Sequence, residues 1–284
     1  MAEIYKLIHP VKYFNDYLTR EVRPDGRKFN EQRNIKLNVK SLKCVEASAV
    51  VKCGNTTVVC GIHLKLAAPK PEEPDRGFLV TNVEVPALCS HKYKPGPPSD
   101  SAQVTNFLVS DIIANSKCIN LKDLCIVPEK LTWVIHCDVV CLDNDGSLVD
   151  ACIMGIMASF KTLELPKVLY DIETGHIEVD DAARTPLQVH GLPIASSFAI
   201  YKLGDRNILL TDPSSYEEDM CGGVGENFIV SSNKDLLSGT HKYGGNKLDT
   251  EELERALTIA KERAYCLENV IETCITNSEP TNNE

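Results

Sequence analysis

The sequence predicts an α+β protein built from two successive strand-rich halves, each closed by a helix. Short turns at 54–55 and 204–205 each join two strand-like runs, as in β-hairpins. A long apolar stretch at 149–163 and a strongly periodic stretch after residue 248 have the patterns of helices. Strands interleaved with helices in this way are typical of mixed sheets packed against helices. We expect mixed sheets in two related halves, with an internal duplication that is weak by eye.

Composition and charge limit the classes of function. The chain has 284 residues, of which 43% are hydrophobic and 25% charged, which suits one large globular domain or two compact ones. Its formal net charge is −10, whereas a free-standing nucleic-acid binder is usually basic. A subunit that touches RNA through a local patch, while its partners supply the rest of the field, remains possible on these grounds.

No membrane segment, secretory signal or metal site is expected. The chain lacks an apolar run of about 18 residues, and Glu3 and Lys6 interrupt the N-terminal stretch. The twelve cysteines form no Cys-x-x-Cys pair and mostly sit in apolar runs, which predicts buried reduced thiols. The nearest zinc-like spacing, Cys137 and Cys141, lies within a strand-like run, so we predict neither a metal nor a cofactor.

The first half follows from local patterns. An amphipathic stretch predicts a helix around 10–20, and the text RPDGR at 23–27 contains a Pro-Asp-Gly turn. A Pro-rich loop occupies 67–77. Between these two features the sequence predicts three strands, at 34–39, 45–53 and 56–66.

A capped helix and a long buried strand come next. Ser99 or Asp100 is a suitable cap for a helix that follows the text PGPP at 95–98. The nearly continuous apolar run at 131–142 is typical of a central strand buried on both faces. We expect the capped helix to carry one apolar face made of Val104, Phe107, Leu108 and Ile112.

The second half begins near residue 187. Strands are predicted at 195–203, 207–211 and 226–232. The last helix starts after Leu248, with Asp249 and Glu252 as a capping box. The predicted organisation is therefore an N-terminal helix and turn at 1–30, a first half at 31–186, a second half at 187–276 and a flexible tail at 277–284.

The text CLDNDGSLVDAC at 141–152 raises the question of a ligand site. A calcium loop with Gly146 at its sixth position would place Cys141 first and Cys152 twelfth, where oxygen ligands are needed. The calcium hypothesis is therefore rejected. A strand–turn–helix junction can also bind an anion at the helix N-terminus.

The anion hypothesis is weakened by the residues at the helix start. Leu148, Val149 and Asp150 supply neither a cation nor a small side chain, and the aspartate would repel a phosphate. The favoured interpretation is a plain turn, shaped by Asp143 and Asp145. In this interpretation Asp150 complements the helix N-terminus.

Four segments resemble the RNase PH-like family when they are taken together. They are RPDGR at 23–27, GNTTVVCG at 54–61, CLDNDGSLVDA at 141–151 and TDPSSYEED at 211–219, and they occur in the family's order over nearly the whole chain. The text TNVEVPALCSHKYKPGPP at 81–98 looks like that of the catalytically silent subunits of the RNA exosome ring. This resemblance implies an RNase PH-like fold of the ribosomal protein S5 domain 2-like type, with two βαβ-type halves whose mixed sheets pack against helices.

The resemblance also implies partners. They are other RNase PH-like exosome subunits in a six-membered ring with a central RNA channel, RNA-binding cap subunits, associated nucleases and RNA itself. No membrane partner and no cofactor is implied. Nucleus, nucleolus and cytoplasm are the expected locations.

Catalytic members of the family use inorganic phosphate to shorten RNA from its 3′ end, and this chain departs from their pattern. At the strand–helix junction, the resemblance places Val149 where they carry an arginine and Asp150 where they carry a hydroxyl residue. Gly223 and Gly225 stand where they carry aspartates. A site that stabilises a phosphate at a reaction centre needs positive donors, so these positions predict lost catalysis.

Three further positions fit that prediction. Pro97, Pro98 and Ser99 stand where the catalytic members hold the RNA backbone with arginines. Asp212 and Glu217 are retained, and without their partners we interpret them as structural.

Basic residues near aromatic ones are the candidate RNA contacts. Lys92 and Lys94 flank Tyr93 in a stretch without acids, an arrangement that can grip a single strand. A solvated loop is an equally good interpretation. Lys70 and Arg76 in the Pro-rich loop are weaker candidates, because three acids lie among them.

The sequence therefore predicts a non-catalytic structural subunit of the exosome ring. Such a subunit supports 3′-to-5′ RNA processing and degradation, including rRNA maturation and the decay of mRNA and non-coding RNA. Two alternatives remain open: an active phosphate-dependent 3′–5′ exoribonuclease, and a stand-alone RNA-binding protein.

Overall fold

The fold is known from a computed structural model that describes residues 2–171, 176–204, 206–222, 228–233, 236–242, 244 and 247–278. Two sheets carry most of the fold, and one helix lies between them. The elements of the first part, in chain order, are α1 (Ala2–Ile8), α2 (Pro10–Leu18), β1 (Ile35–Val39), β2 (Ala47–Cys53), β3 (Thr56–Ala67), β4 (Phe78–Glu84), α3 (Asp100–Ser116), a 3-10 helix (Leu121–Leu124), β5 (Cys125–Val127), β6 (Leu131–Asp143) and α4 (Leu148–Thr162).

The first sheet is mixed and has the strand order β1-β2-β3-β6-β4, with the short β5 beside β6. The hairpin predicted at 54–55 is confirmed, since Cys53 pairs with Thr56. Strand β4 runs parallel to β6, and α3 is the crossover between them, so these three elements form a βαβ unit. The sequence analysis did not predict β4.

Strand β6 differs in part from its prediction. It is central, with β3 on one side and β4 on the other. Its first residues, 131–135, are buried on both faces, as expected. Farther along, Asp138 and Leu142 are exposed, because that part of the sheet carries helices on only one face.

Helix α3 has the predicted cap and a different buried face. The Ser99 hydroxyl accepts the N–H of Ala102 at 3.3 Å. Leu108 and Ile112 are buried as predicted, but Phe107 is 61% exposed and Val104 is 39% exposed. The helix turns a different stripe to the core, which consists of Ala102, Thr105, Leu108, Val109, Ile112 and Ile113.

Helix α4 confirms the predicted buried helix and forms the middle layer of the molecule. It contacts β2 and β3 of the first sheet and β9 (Ile194–Leu203) of the second. Every residue of α4 except Lys161 is buried. The start of α4 therefore lies where the two halves of the chain meet.

The second half is an antiparallel sheet with the order β10-β9-β11-β12. The predicted mixed arrangement therefore holds for the first sheet and not for the described strands of the second. Helix α5 and strands β7, β8 and β12 were not predicted. The elements are β7 (Glu164–Tyr170), β8 (Ile177–Pro186), β9, β10 (Arg206–Thr211), α5 (Ser215–Met220), β11 (Phe228–Asn233), β12 (Leu236–Lys242) and α6 (Thr250–Ser278).

Helix α6 confirms the periodic C-terminal pattern. The Glu252 carboxylate accepts the N–H of Asp249 at 3.1 Å, which is one of the two bonds of the predicted capping box. The tail was predicted to begin at residue 277, but Asn277 and Ser278 belong to the helix, because its hydrogen bonding continues through them. Residues 279–284 lie outside the described part of the chain.

The cysteines are free thiols, and eight of the twelve are buried. Cys44 and Cys266 are exposed, which departs from the prediction for those two residues. None of the described helices combines the length and hydropathy that crossing a membrane requires.

Candidate functional site at the strand–helix turn

The turn between β6 and α4 is the centre of the candidate site. Asn144 shapes the turn, since its side-chain oxygen accepts the N–H of Gly146 at 3.1 Å. Gly146 has φ +84°, and a Cβ at this position would lie 2.5 Å from the Pro213 carbonyl oxygen. The sequence analysis assigned the shaping role to Asp143 and Asp145. That assignment is wrong for Asp143, which is the last residue of β6, where its backbone belongs to the sheet.

Asp145 ties the turn to neighbouring segments. Its carboxylate accepts a hydrogen bond from the Asn55 side chain at 3.2 Å, and its carbonyl accepts one from Arg33 at 2.7 Å. The carbonyl of Gly146 accepts bonds from Arg33 and from the Thr56 hydroxyl. The turn is therefore fixed from both sides.

Three arginines of the N-terminal segment, Arg23, Arg27 and Arg33, form an arginine cluster beside the turn. Arg23 is fully buried and binds the Glu217 carboxylate through two nitrogens. It also donates to the Thr211 carbonyl at 2.7 Å. Arg27 lies 3.7 Å from the same carboxylate and is itself largely buried. Glu217 is thus neutralised inside the protein, which fits its interpretation as a structural residue.

Asp212 is the second carboxylate held by the arginine cluster. Arg33 donates to both of its oxygens, at 2.7 and 3.0 Å, and its backbone N–H donates at 2.8 Å. Burial alone would raise the pKa of Asp212, but the hydrogen bonds and charge of Arg33 and the charge of Arg263 hold that pKa well below its usual range. Asp212 is therefore an ionised structural group, as predicted.

Asp150 has a larger role than complementing the helix N-terminus. Its carboxylate accepts bonds from Arg263 at 2.7 Å, the Ser197 hydroxyl at 2.6 Å and the Ser197 N–H at 2.9 Å. Burial raises the pKa of Asp150, while these donors oppose the rise. The aspartate thereby connects three elements: the first turn of α4, strand β9 and the buried face of α6.

The sequence analysis missed Arg263, although the sequence carries a signal for it. This arginine stands inside the apolar stripe of α6, next to Ala264 and three residues after Ala260. A charged residue on a buried helical stripe requires a buried partner. The local pattern could have predicted such a partner without identifying it as Asp150.

Glu218 occupies the position of an anion at the start of α4. Its carboxylate accepts the N–H of Ser147, the residue before the helix, at 2.8 Å. Among the described residues no lysine, arginine or histidine forms an ion pair with Glu218. Burial raises the pKa of Glu218 to about 7, and the hydrogen bond from Ser147 opposes this rise.

The space in front of the helix start is almost filled. A cavity of about 20 Å³ remains there, which has room for about one water molecule and none for a phosphate. The Tyr93 hydroxyl closes one side, since it accepts a hydrogen bond from Asn144 at 3.1 Å. The cavity is lined by Tyr93, Thr105, Asn144, Ser147, Leu148, Val149, Ser197, Glu218 and Ile229.

The predicted RNA-binding residues fall into two separate groups. Lys92 lies beside the turn, where its ammonium donates to Asp219 at 2.6 Å and to the Ser215 hydroxyl at 2.8 Å. Tyr93 is half-buried against the core, and Lys94 is exposed. The charge of Lys92 is already paired, and the ring of Tyr93 is partly covered.

Lys70 and Arg76 lie at the other end of the first sheet. Strand β6 spans 13 residues, so its two ends are about 40 Å apart. Arg76 is paired with Glu73 at 2.7 Å, and the Lys70 ammonium lies 5.8 Å from the centre of the Phe78 ring. The five residues therefore do not form one patch, and their contact with RNA stays a prediction.

The remaining predicted positions are only partly visible. Val149 lines the small cavity and is buried. Gly223 and Gly225 lie outside the described residues. Within the described ranges no three His, Cys, Asp or Glu side chains are grouped to hold a metal ion.

Two family profiles match the chain over most of its length. The 3′ exoribonuclease family, domain 1 (RNase PH), matches residues 31–166, and domain 2 of the same family matches residues 191–263. Among known proteins, "Exosome complex component rrp43" of Schizosaccharomyces pombe is 32% identical over 260 residues, 92% of this chain and 94% of that protein. "Exosome complex component Rrp42" of Pyrococcus furiosus is 35% identical over 91% of each chain.

Solved structures show the same similarity. A chain of the Archaeoglobus fulgidus exosome with RNA bound to the active site superposes with a TM-score of 0.79 at 28% identity, over 91% of this chain and 96% of that one. A chain described as an archaeal exosome core gives a TM-score of 0.76 at 25% identity, over 96% and 100% of the two chains.

Proposed function

Because the chain belongs to the 3′ exoribonuclease (RNase PH) family, we propose that it is a non-catalytic structural subunit of an RNA exosome ring. Relatives that match over more than nine-tenths of both chains carry the name of exosome components, which supports membership of such an assembly. Within that assembly we propose the place of the ring subunit called exosome complex component eight, which the sequence resembles. Its partners are other RNase PH-like subunits, cap subunits, associated nucleases and RNA.

The observation that carries the non-catalytic part is the occupied helix start. The N–H of Ser147 would be a donor to a phosphate, and the Glu218 carboxylate takes it at 2.8 Å. Among the described residues no lysine, arginine or histidine forms an ion pair with that carboxylate, and the cavity beside it holds about 20 Å³. The negative charge of Glu218 would repel a second anion, and the cavity is too small for it. We therefore infer that the phosphate needed for cleavage does not bind here.

The role we propose is architectural, in support of 3′-to-5′ RNA processing and degradation such as rRNA maturation and mRNA and non-coding RNA decay. The nucleus, nucleolus and cytoplasm are the proposed locations. Exposed Lys94 and Lys70 are the proposed contributions to the RNA channel, since both are free of ion pairs in the described part of the chain.

The first test is an activity assay on the purified, folded chain. Single-stranded RNA is incubated with and without inorganic phosphate, and both 3′ shortening and release of nucleoside diphosphates are followed. We expect no phosphate-dependent shortening. Asp212 is a poor control residue here, because it is buried and ion-paired and its replacement would disrupt the fold.

Glu218→Gln is the matched control, because the amide keeps the size of the side chain and can still accept the Ser147 N–H. Phosphate-dependent shortening that stays with the folded parent chain through a further purification step would overturn the proposal, whereas shortening that separates from it would come from a contaminating nuclease. Shortening that only the folded Glu218→Gln chain shows would mean that the Glu218 carboxylate blocks an otherwise working site. Mixing with RNase PH-like partner chains tests the proposed membership of a ring, since native mass spectrometry should then show a ring that contains this chain.

A further inference from the structure

The outer edge of β4 is an open edge of the first sheet. In a parallel pair, alternate residues point their N–H and C=O groups towards the neighbouring strand and away from it. The N–H of Gly77 donates to the Leu121 carbonyl at 2.8 Å, and the N–H of Val83 donates to the Asn106 side chain at 3.0 Å. Both residues therefore point away from β6.

Leu79 and Thr81 share this outward direction, because they lie two and four residues after Gly77. The described residues supply no hydrogen-bond partner for their backbone groups on this side. The edge is thus closed at both ends, by Leu121 and Asn106, and open in the middle. An unpaired strand edge is a template on which another extended chain can add.

A groove runs along the open part of this edge. It has a volume of about 770 Å³, which is in the range of sites that hold a ligand or short peptide. Helix α3 forms its other wall with residues at helical spacing, namely Ser110, Ile113, Ala114 and Lys117. Its remaining lining residues are Arg76, Leu79, Val80, Thr81, Cys118, Ile119, Asn120, Leu121 and Lys122.

The charges of the groove are all positive. Arg76, Lys117 and Lys122 line it, and no acidic residue does. Arg76 and Lys122 form exposed ion pairs with Glu73 and Asp75, and Lys117 has no ion pair with a described residue. In a chain with a net charge of −10, this local sign favours an acidic partner.

We propose that the groove between β4 and α3 binds an extended acidic segment of another protein, which adds as a strand beside β4. The backbone of the segment pairs with Leu79 and Thr81. Its apolar side chains contact the partly buried Leu79 and the exposed Ala114, and its carboxylates lie near Lys117. Recognition by strand addition takes its affinity from the backbone and its specificity from alternate side chains. The inference does not depend on the non-catalytic role.

The test is a selection of random ten-residue peptides, displayed on phage, against the full chain. Ala114→Trp fills the groove from an exposed helical position, and Asn115→Trp, at the neighbouring exposed position outside the groove, is the matched control. We expect acidic peptides with alternating apolar residues. Their affinity should fall at least about tenfold with Ala114→Trp and stay within about twofold with Asn115→Trp.

Hydrogen exchange gives a second readout that does not depend on any variant. In the free chain the amides of Leu79 and Thr81 should exchange faster than that of Val80, and a bound peptide should slow them. Lys117→Gln should weaken binding and reduce its dependence on salt.

Several outcomes would overturn the proposal. They are a selection that yields no peptides beyond those bound by the Ala114→Trp chain, selected peptides without acids, or protection at another surface. Self-association that Ala114→Trp abolishes would make the groove an interface between two copies. Loss of ring assembly in Ala114→Trp but not in Asn115→Trp would make it a ring contact, and the proposed function would then stand while this inference fails.

Discussion

The two sides of the turn at 143–147 hold buried carboxylates in opposite ways. On the N-terminal side the arginine cluster binds Asp212 and Glu217, and Arg33 keeps the pKa of Asp212 low against the effect of burial. On the helix side Glu218 has one backbone donor and no described ion-pair partner, and burial raises its pKa to about 7. The same kind of group is therefore structural on one side and uncompensated on the other.

The two sides also differ in what they contribute to the structure. The compensated side joins the N-terminal segment, the turn and the start of α5, so its loss would separate parts of the molecule. The uncompensated side places a negative group where a helix N-terminus could bind an anion. Holding the segments together requires carboxylates that are paired with arginines, such as Glu217. A helix start that is open to phosphate would instead require a residue without negative charge at the neighbouring position, Glu218.

Removing Arg23 from the arginine cluster should have the largest effect on the free energy of unfolding. Arg23→Met leaves Glu217 buried without its main partner, and we expect a loss of about 3–5 kcal/mol in the free energy of unfolding. Urea unfolding followed by circular dichroism measures it. The double variant Arg23→Met, Glu217→Gln should recover part of the loss. A cost below about 1 kcal/mol for Arg23→Met would mean that the cluster does not hold the segments together.

Asp150→Asn should give the next largest effect. The amide keeps a hydrogen bond to Ser197 but leaves the buried charge of Arg263 unpaired, so we expect a loss of about 3 kcal/mol. Ser197→Ala is the control, because it removes only the hydroxyl and should cost about 1 kcal/mol. Equal losses in the two variants, measured by the same urea titration, would show that the ion pair adds nothing to the hydrogen bonds.

Glu218→Gln should change how the free energy of unfolding depends on pH. The pKa of Glu218 is raised in the folded chain, so the folded state binds the proton more tightly than the unfolded state. Stability from this group is complete below its ordinary pKa of about 4.5 and is lost as pH rises towards about 7. The variant should therefore gain about 1–3 kcal/mol on the parent chain between pH 5 and pH 8.

Thermal unfolding of both chains at a series of pH values gives this difference directly. A difference that stays constant with pH would show that the pKa of Glu218 is not raised in the folded chain. The opposite slope would show that its pKa is lowered.

The smallest effect is expected at the surface. Lys92→Ala breaks an ion pair whose partners are 39% and 48% exposed, so it should cost at most about 1 kcal/mol, and less in high salt. A double-mutant cycle with Asp219→Ala measures the coupling. A cost above about 2 kcal/mol would mean that the loop at 85–99 depends on this pair to cover the helix start.

Local patterns predicted much of the fold. The hairpin at 54–55, the cap at Ser99, the helix at 149–163 and the periodic C-terminal helix each follow from residues within one short window. Strand β4 was missed because its pairing partner in β6 lies 56 residues away and its side chains do not alternate cleanly. The exposed face of α3 was missed because amphipathic spacing does not say which stripe meets the sheet.

The candidate site divides in the same way. The sequence by itself determined that the junction carries Val149 and Asp150 and that it is a turn, and the resemblance added the interpretation of Asp212 and Glu217 as structural. Only the tertiary structure decided that Glu218 takes the anion position, that Asp150 binds Arg263, and that Lys92 is paired while Lys70 and Arg76 lie at the far end of a strand. The physical reason is distance along the chain. Turns and helices depend on near neighbours, whereas a buried charge takes its role from a distant partner, as in the pair of Arg23 and Glu217, which are 194 residues apart.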